Sequence, residues 1–373
     1  MTSPPARARA QGIARLRAYA AQGAALAGMA AVLWWLGHNA TGALDERGIT
    51  LGFGFIRQPS NFAIGETWLR YGPEDSIGRA ITVGLVNTMV VSALGCLLSL
   101  VCGFALGFMR LSSNPPLRGI VRGYVELVRN VPLLLLLLFL VALLHGLPGP
   151  SAALHPVRGV FLSNRGLALP AASLGALPLV LTALAMASLA ARRHLGRAGL
   201  VVSSVLVVAL AASIVVAPWG VPRLRGLEFV GGRTLSPEFA ALLGALVLHH
   251  AANVSEVVRG AIQSVSAGQS DAARALGLSR AQAMRFVILP LALRAMVPLL
   301  ASNAVSLVKN SSLAVAIGFP DVVSILNTTG NQTGHAIETM LIMIAVYLTL
   351  SLAIGAALDR YNRRLLVSER AAA

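Results

Sequence analysis

Eight stretches of roughly twenty residues run through this chain almost without charge, and a bilayer core about 30 Å thick takes about that many helical residues to cross. They extend approximately from Tyr19 to Gly37, Ile81 to Met109, Val131 to Leu147, Ala171 to Ala190, Leu200 to Trp219, Phe239 to Val258, Leu291 to Ile317 and Ala336 to Leu358. Pro170 and Pro178 interrupt the fourth, a feature that membrane helices tolerate better than soluble ones. Composition agrees: 56% of residues are apolar and 12% charged, against about half and about a quarter in a soluble domain. So apolar a chain cannot remain solvated and disordered.

The net charge of +16 raises the question of where the basic residues lie. With a cytoplasmic N-terminus and eight spans, the segments on that side hold twenty of the thirty arginines and lysines, nine fall opposite, and Lys309 lies within a span. That bias predicts both termini in the cytoplasm. Basic residues gathered between apolar runs, without aromatic-basic clusters, predict contact with an anionic bilayer surface and no nucleic-acid partner. The first run is longer than a signal-peptide core and reads as a span. Asn39 to Arg79 reads as an external loop.

Several chemistries are absent from the sequence. A phosphate-binding loop needs a Gly-Lys pair, but the only lysine, Lys309, follows Val308. There is no HExxH; adjacent His249 and His250 point about 100° apart on a helix, unsuited to a zinc pair. There is no GxSxG nucleophile elbow. Cys96 and Cys102 share one apolar run without metal-ligand spacing and read as packing residues. The chain is therefore expected to be no enzyme and to hold no metal or cofactor. Uphill transport would draw on an ion gradient or on a separate ATP-hydrolysing chain.

The segment from Arg259 to Pro290 is too patterned for a simple connection. Ser266 with Gln269 and Ser279 with Gln282 both fit the capping-box spacing, which predicts two short helices. The first is expected over about Gln269 to Leu276, with Asp271 near its start and Arg274 in its later half, as the macrodipole favours. Gly277 supplies a left-handed terminator, Leu278 folds back on the apolar face, and Ala272 and Ala273 allow close backbone approach. Pattern alone leaves two readings open, a docking element or an ordinary amphipathic interfacial helix.

The same segment resembles the signature loop of importer permeases of the ATP-binding-cassette class: Glu-Ala-Ala, three residues, Gly, nine residues, Ile, one residue, Leu-Pro. Asp271, Ala272, Ala273, Gly277, Val287, Leu289 and Pro290 fill those places, with Asp for Glu and Val for Ile. The stretch GQSDAARALGLSRAQAMRFVILPLALR and the later LVKNSSLAVAIG resemble the polar amino-acid, histidine/glutamine-type branch. GLVNTMVVS from Gly84, Arg129 to Pro132, and Glu256 to Arg259 extend the likeness over most of the chain. The eight-span layout with FPDVVSILNTTGNQTGHAIE is similar to a permease subunit of the general L-amino-acid importers.

The resemblance implies an all-α polytopic protein of a bacterial inner membrane, a five-span permease core with extra helices. Its sections would be residues 1–79 (N-terminus, first span and periplasmic loop), 80–147 (two core helices), 148–237 (an insertion with two extra helices) and 238–373 (the remaining core, with a coupling loop at 259–290). It further implies a cytoplasmic ATPase dimer carrying the ATP and Mg, a second, homologous permease subunit, and a periplasmic amino-acid-binding protein. In the coupling loop, Leu276, Leu278 and Phe286 are the expected apolar anchors and Arg274 and Arg280 the rim.

Polar groups at membrane depth mark a candidate translocation path: Asn303, Lys309, Asn310, Ser311 and Ser312. The alternative is that Lys309 snorkels to the outer interface while the small polar residues mediate helix packing. His249, His250 and Asn253 are expected to make packing hydrogen bonds, and Glu256 with Arg259 a structural salt bridge. The rival to the importer is an ion-gradient-driven secondary transporter, which would show intramembrane carboxylates and inverted repeats.

Overall fold

The computed structural model describes residues 19–32, 34–39, 42, 52–172, 202, 204–206, 219–226 and 228–370. The chain forms two units, Met1–Phe55 and Ile56–Ala373. The first contains an apolar helix, α1 (Tyr19–Asn39), in which the Trp34 and His38 rings stack 5.4 Å apart.

In the second unit α2 (Ile77–Arg110) starts on Ser76, whose Oγ accepts from the Arg79 amide. Its buried face steps by three or four residues through Gly84, Thr88, Ser92, Gly95, Ser99, Gly103 and Gly107. Gly103 and Gly107 lie against α5 (Pro237–Gln263), whereas Gly84 meets Val322 and Ile325 and Gly95 meets Leu307. A Cβ on Gly103 would stand 2.5 Å from the Val254 Cβ, and one on Gly107 would stand 2.7 Å from that of Val258. Membrane helices associate by this kind of close packing, since lipid supplies no hydrophobic drive between them. Helix α5 is the centre of the bundle, packing also on α3, α4 and α8.

Helix α3 (Pro115–Asn130) is amphipathic: Val121, Val125 and Val128 are buried, while Arg118 and Arg122 are exposed. Pro132 holds the preceding Val131 extended, at φ −87° and ψ 126°, and α4 (Leu133–His145) departs at 104°. The expected third span is thus 13 residues of helix, roughly 20 Å at 1.5 Å per residue, and crosses a membrane only if the bent pair counts as one span.

Between α4 and α5 the chain makes strands that sequence reading did not foresee. An antiparallel sheet runs in the order β1 (Leu154–Val157), β2 (Val160–Ser163), β3 (Gly166–Leu169), β8 (Arg233–Leu235). Two short ladders accompany it, β4 (Ala171–Ala172) with β5 (Trp219–Gly220) and β6 (Arg223–Arg225) with β7 (Glu228–Val230). Ala171, Ala172 and Trp219, expected at the ends of the two extra spans, therefore lie in a ladder; those spans otherwise fall almost wholly outside the described residues.

After α5 come α6 (Ala267–Ala275), α7 (Arg280–Ala283), a π-helical turn (Met284–Ile288) and α8 (Leu289–Asn310). A 3₁₀ segment (Ser311–Ile317) leads to α9 (Val322–Thr333) and α10 (Ala336–Arg370). Among the described residues five helices are long and apolar enough to span a membrane, or six with the bent pair. The fold is helical and polytopic, and among the described residues the strands all lie between Leu154 and Leu235.

Candidate functional site

The connection from α5 to α8 is built from local signals. Ser279 forms the expected capping box: its Oγ accepts from the Gln282 amide, and the Gln282 side chain accepts from the Ser279 amide at 2.9 Å. The box expected at Ser266 is not made. Ser266 is the N-cap of α6 by backbone geometry, without a side-chain capping bond, and the helix starts two residues earlier than expected. At the other end Gly277 is left-handed, at φ +76°. Its amide donates to Arg274 O, and the Leu278 amide reaches back to Ala273 O at 3.1 Å, together a Schellman terminus.

The expected second short helix is not free-standing. α7 runs through the π turn into α8, giving one apolar helical run from Arg280 to Ile317. Pro290 accounts for the irregularity: it lacks an amide proton and its ring crowds the carbonyl four residues back. A widened turn, in which the Leu289 amide donates to Met284 O, accommodates it.

Exposure along this loop sorts the residues. Leu276 is 81% exposed and Phe286 61%, although both are large and apolar. Leu278, Val287 and Leu289 are partly buried, and Ala272, Pro290 and Arg280 are exposed. Arg274 is paired with Asp271 at 2.5 Å across one turn, with both side chains exposed. Ala273 is buried within this chain, so it is Ala272, and not the pair, that offers a small side chain to a neighbour. The Arg285 guanidinium lies 5.5 Å from the Phe286 ring centre.

Just before the loop, Glu256 near the end of α5 gathers arginines from three helices. Arg110 of α2 reaches Oε2 at 2.5 Å, Arg129 of α3 stands 3.7 Å from the same atom, and Arg259 pairs with Oε1. Sequence reading found the Arg259 contact; it missed the other two, whose common position at helix ends on the arginine-rich side was the available signal.

Among the residues proposed for a path, two come together. His250 on α5 meets Asn303 Oδ1 with its Nδ1 at 2.9 Å and Asn310 Nδ2 with its Nε2 at 3.2 Å, so both amides, two turns apart on α8, converge on one buried ring. Asn303 also borders a cleft of about 230 Å³ between α2 and α8, lined by Cys96, Ser99 and Leu300. Lys309 is exposed. Ser311 and Ser312, at the start of the 3₁₀ segment, donate back to the carbonyls of Val308 and Lys309 in the last turn of α8. Among the described residues no group of His, Cys, Asp and Glu could hold a metal ion.

At the opposite end of the bundle the loop before α2 is tied down by buried polar groups. Asn87 of α2 donates to the carbonyls of Glu66 and Pro320, both at 2.9 Å, and Thr88 Oγ1 accepts from the Val322 amide. Asp321 caps α9 by accepting from the Ser324 amide at 2.8 Å, and burial pushes its carboxyl up to about 7.

A bundle of apolar helices with an exposed helical loop at one end defines a multi-pass membrane protein. The chain belongs to the family of binding-protein-dependent transport system inner membrane components, whose model matches residues 97–367. Among its relatives YhdX of Escherichia coli (strain K12), whose name places it among amino-acid ABC transporter permeases, is 40% identical over 375 residues, 95% of each chain. The general L-amino acid transport system permease protein AapQ of Rhizobium johnstonii is 33% identical, covering 91% of this chain and 89% of that one. The glutamate/glutamine/aspartate/asparagine transport system permease protein BztB of Rhodobacter capsulatus is 35% identical over 91% of each. The fold is similar to that in the crystal structure of an amino acid ABC transporter with histidines, with TM-score 0.50 and 22% identity over 77% of this chain and 94% of that one.

Proposed function

We propose that this chain is the permease subunit of an importer that moves L-amino acids into the cytoplasm, energised by a separate ATP-hydrolysing dimer that grips the loop between α5 and α8. The observation that carries the reading is that loop: a helix with a Schellman end, followed by a capping box, holding Leu276 and Phe286 in the open at the arginine-rich end of the bundle. Exposed large side chains outside a bilayer are costly without a partner. Family membership supports an importer over the ion-gradient alternative, and the names of the relatives support amino acids as the substrate class. ATP and Mg would belong to the partner; a soluble binding protein would supply substrate from the far side of a bacterial inner membrane, and a second, homologous permease subunit would complete the pathway.

In this reading α6 sits in a groove of the ATPase, Leu276, Leu278 and Phe286 are its apolar anchors, and Arg274 with Arg280 lie at the rim. Asn303, Lys309, Asn310, Ser311 and Ser312 mark the path, with His250 holding the two asparagines in register. The test is purification of the tagged protein in mild detergent with mass spectrometry of copurifying chains, then ATP-dependent uptake in proteoliposomes with the binding protein. An ATPase partner and coupled uptake support the reading. A folded, abundant permease with no ATPase partner even after crosslinking would overturn it.

A further inference from the structure

Helix α3 presents three faces. Leu117, Val121, Tyr124, Val125 and Val128 turn inward, where they pack with Leu106 of α2 and Ala252 of α5. Arg118, Arg122 and Glu126 follow at four-residue intervals along one flank, all exposed. Ile120 and Leu127 occupy another flank, 74% and 67% exposed. At about 100° per residue the two flanks are nearly opposite, each roughly a quarter-turn from the inward face. Gly119 and Gly123 lie between them on the outward side, where a Cβ on either would meet nothing within 4 Å.

The neighbours of α3 fix which way each flank points. Helix α4 runs along the first half of α5 in the opposite sense, with Leu140 against Gly244 and His145 Nε2 3.2 Å from Glu238 Oε1. A helix set at 104° to α4 therefore crosses α5 and lies close to the plane of the bilayer. Arg129, on the arginine flank, stands 3.7 Å from Glu256, whereas Tyr124, next to the apolar flank, donates to Leu248 O at 3.1 Å. Glu256 lies about 12 Å further along α5 than Leu248, at 1.5 Å per residue, toward the arginine-rich end. The arginines thus face away from the bilayer centre, and Ile120 with Leu127 face the hydrocarbon.

We infer that α3 is an interfacial helix on the cytoplasmic side and binds an anionic phospholipid there. The phosphate sits between Arg118 and Arg122, and the acyl chains cross the two glycines to lie along Ile120 and Leu127. Guanidiniums four residues apart on one helix are neighbours, spaced to share one phosphate. Arg122 gives its Nε to Glu126 Oε1 at 2.7 Å, and its other N–H groups remain for the ligand. Arg118, one turn earlier, is exposed with no ion pair among the described residues. Two arginines and one carboxylate leave this flank with a net positive charge, which a phosphatidylglycerol headgroup neutralises and a zwitterionic choline headgroup does not. An apolar flank toward the membrane with a basic flank opposite is what an interfacial helix offers to acidic lipid. The assignment needs only a membrane-spanning fold and so stands apart from the import reading.

Native mass spectrometry of the full-length chain in an uncharged detergent, with added dioleoylphosphatidylglycerol or dioleoylphosphatidylcholine, reads the binding directly. The expected result is a saturable phosphatidylglycerol adduct that sn-glycerol 3-phosphate, a phosphate without acyl chains, does not displace. Arg118→Gln with Arg122→Gln should weaken it at least tenfold, whereas Arg223→Gln with Arg225→Gln, an equal loss of exposed charge in β6, should not. A second measurement places the helix without touching the arginine pair. In a chain carrying Cys96→Ala and Cys102→Ala, in nanodiscs of both lipids, bimane attached through Leu127→Cys should be quenched by phosphatidylcholine with a doxyl group on its acyl chain, and hardly by iodide. Equal retention of the two lipids, displacement by sn-glycerol 3-phosphate, or an equal loss in the two arginine double variants overturns the assignment. So does failure of the doxyl lipid to reach position 127, the result that a covering protein subunit would give.

Discussion

Leu276→Ala separates docking from folding. Leu276 is 81% exposed at the C-cap of α6, so its truncation should change the stability of the isolated permease by no more than about 0.5 kcal/mol, the usual range for such a surface site. If the side chain fills a groove in the ATPase, the change removes three apolar carbons from the interface at about 0.8 kcal/mol each, or roughly 2 kcal/mol. That corresponds to a dissociation constant raised about thirtyfold. The assay is association of the purified ATPase with detergent-solubilised permease, measured by biolayer interferometry on wild type and variant. Thermal unfolding of each permease alone is followed beside it. Ala273→Asp is the control for a folding defect, since Ala273 is buried and a carboxylate there would be buried without a partner. Unchanged association in Leu276→Ala, or a loss fully matched by a fall in the unfolding midpoint, would refute the reasoning.

Glu256→Gln should destabilise the bundle, because Arg110 is only 9% exposed and loses its charged partner. Breaking a buried pair costs about 3 to 5 kcal/mol, and the 29% exposure of Glu256 places the expected value at or below the lower bound. Unfolding in mixed micelles checks this, and replacing both Arg110 and Glu256 by Met should recover part of the loss. Gly103→Ala should cost about 1 to 3 kcal/mol by forcing α2 from α5, with partial rescue by Val254→Ala; equal stability of the single variant would count against the close packing. The buried Asp321 carboxyl, raised by desolvation from its ordinary range to about 7, binds its proton more tightly folded than unfolded. Its contribution is therefore present at pH 4 and lost as pH rises through 7. The unfolding midpoint should fall across that window in wild type and be flatter in Asp321→Asn, which keeps an acceptor for the Ser324 amide.

What the sequence revealed and what it hid divide by the range of the interaction. Ser279 with Gln282 and the left-handed Gly277 are legible because both signals act within a few residues. Ser266 shows the limit of the same rule, since its spacing matches a capping box while its side chain makes no capping bond. Glu256 was read beside Arg259, one turn away, but its contacts with Arg110 and Arg129 depend on how α2 and α3 dock against α5, which no local pattern encodes. The His250 link to Asn303 and Asn310 was hidden for the same reason. The strands between α4 and α5 escape a sequence reading because each is at most four residues long and lies beside apolar stretches that dominate a helical reading.

The local and the long-range features meet in one mechanical consequence. The loop is attached at one end to α5, within a few residues of the Glu256 cluster, and at the other to α7, the π turn and α8 as one helical run. A force on α6 therefore acts on both helices that hold the polar pair, His250 on α5 and Asn303 with Asn310 on α8. Because the two asparagines engage opposite nitrogens of one ring, α8 cannot slide or turn against α5 without breaking at least one of these bonds. The Glu256 cluster ties α5 to α2 and α3, so those helices tend to move with it as a body. The cleft beside Asn303 lies on the other side of α8, against α2, so a change of packing there leaves the His250 bonds in place only if α5 and α8 move together.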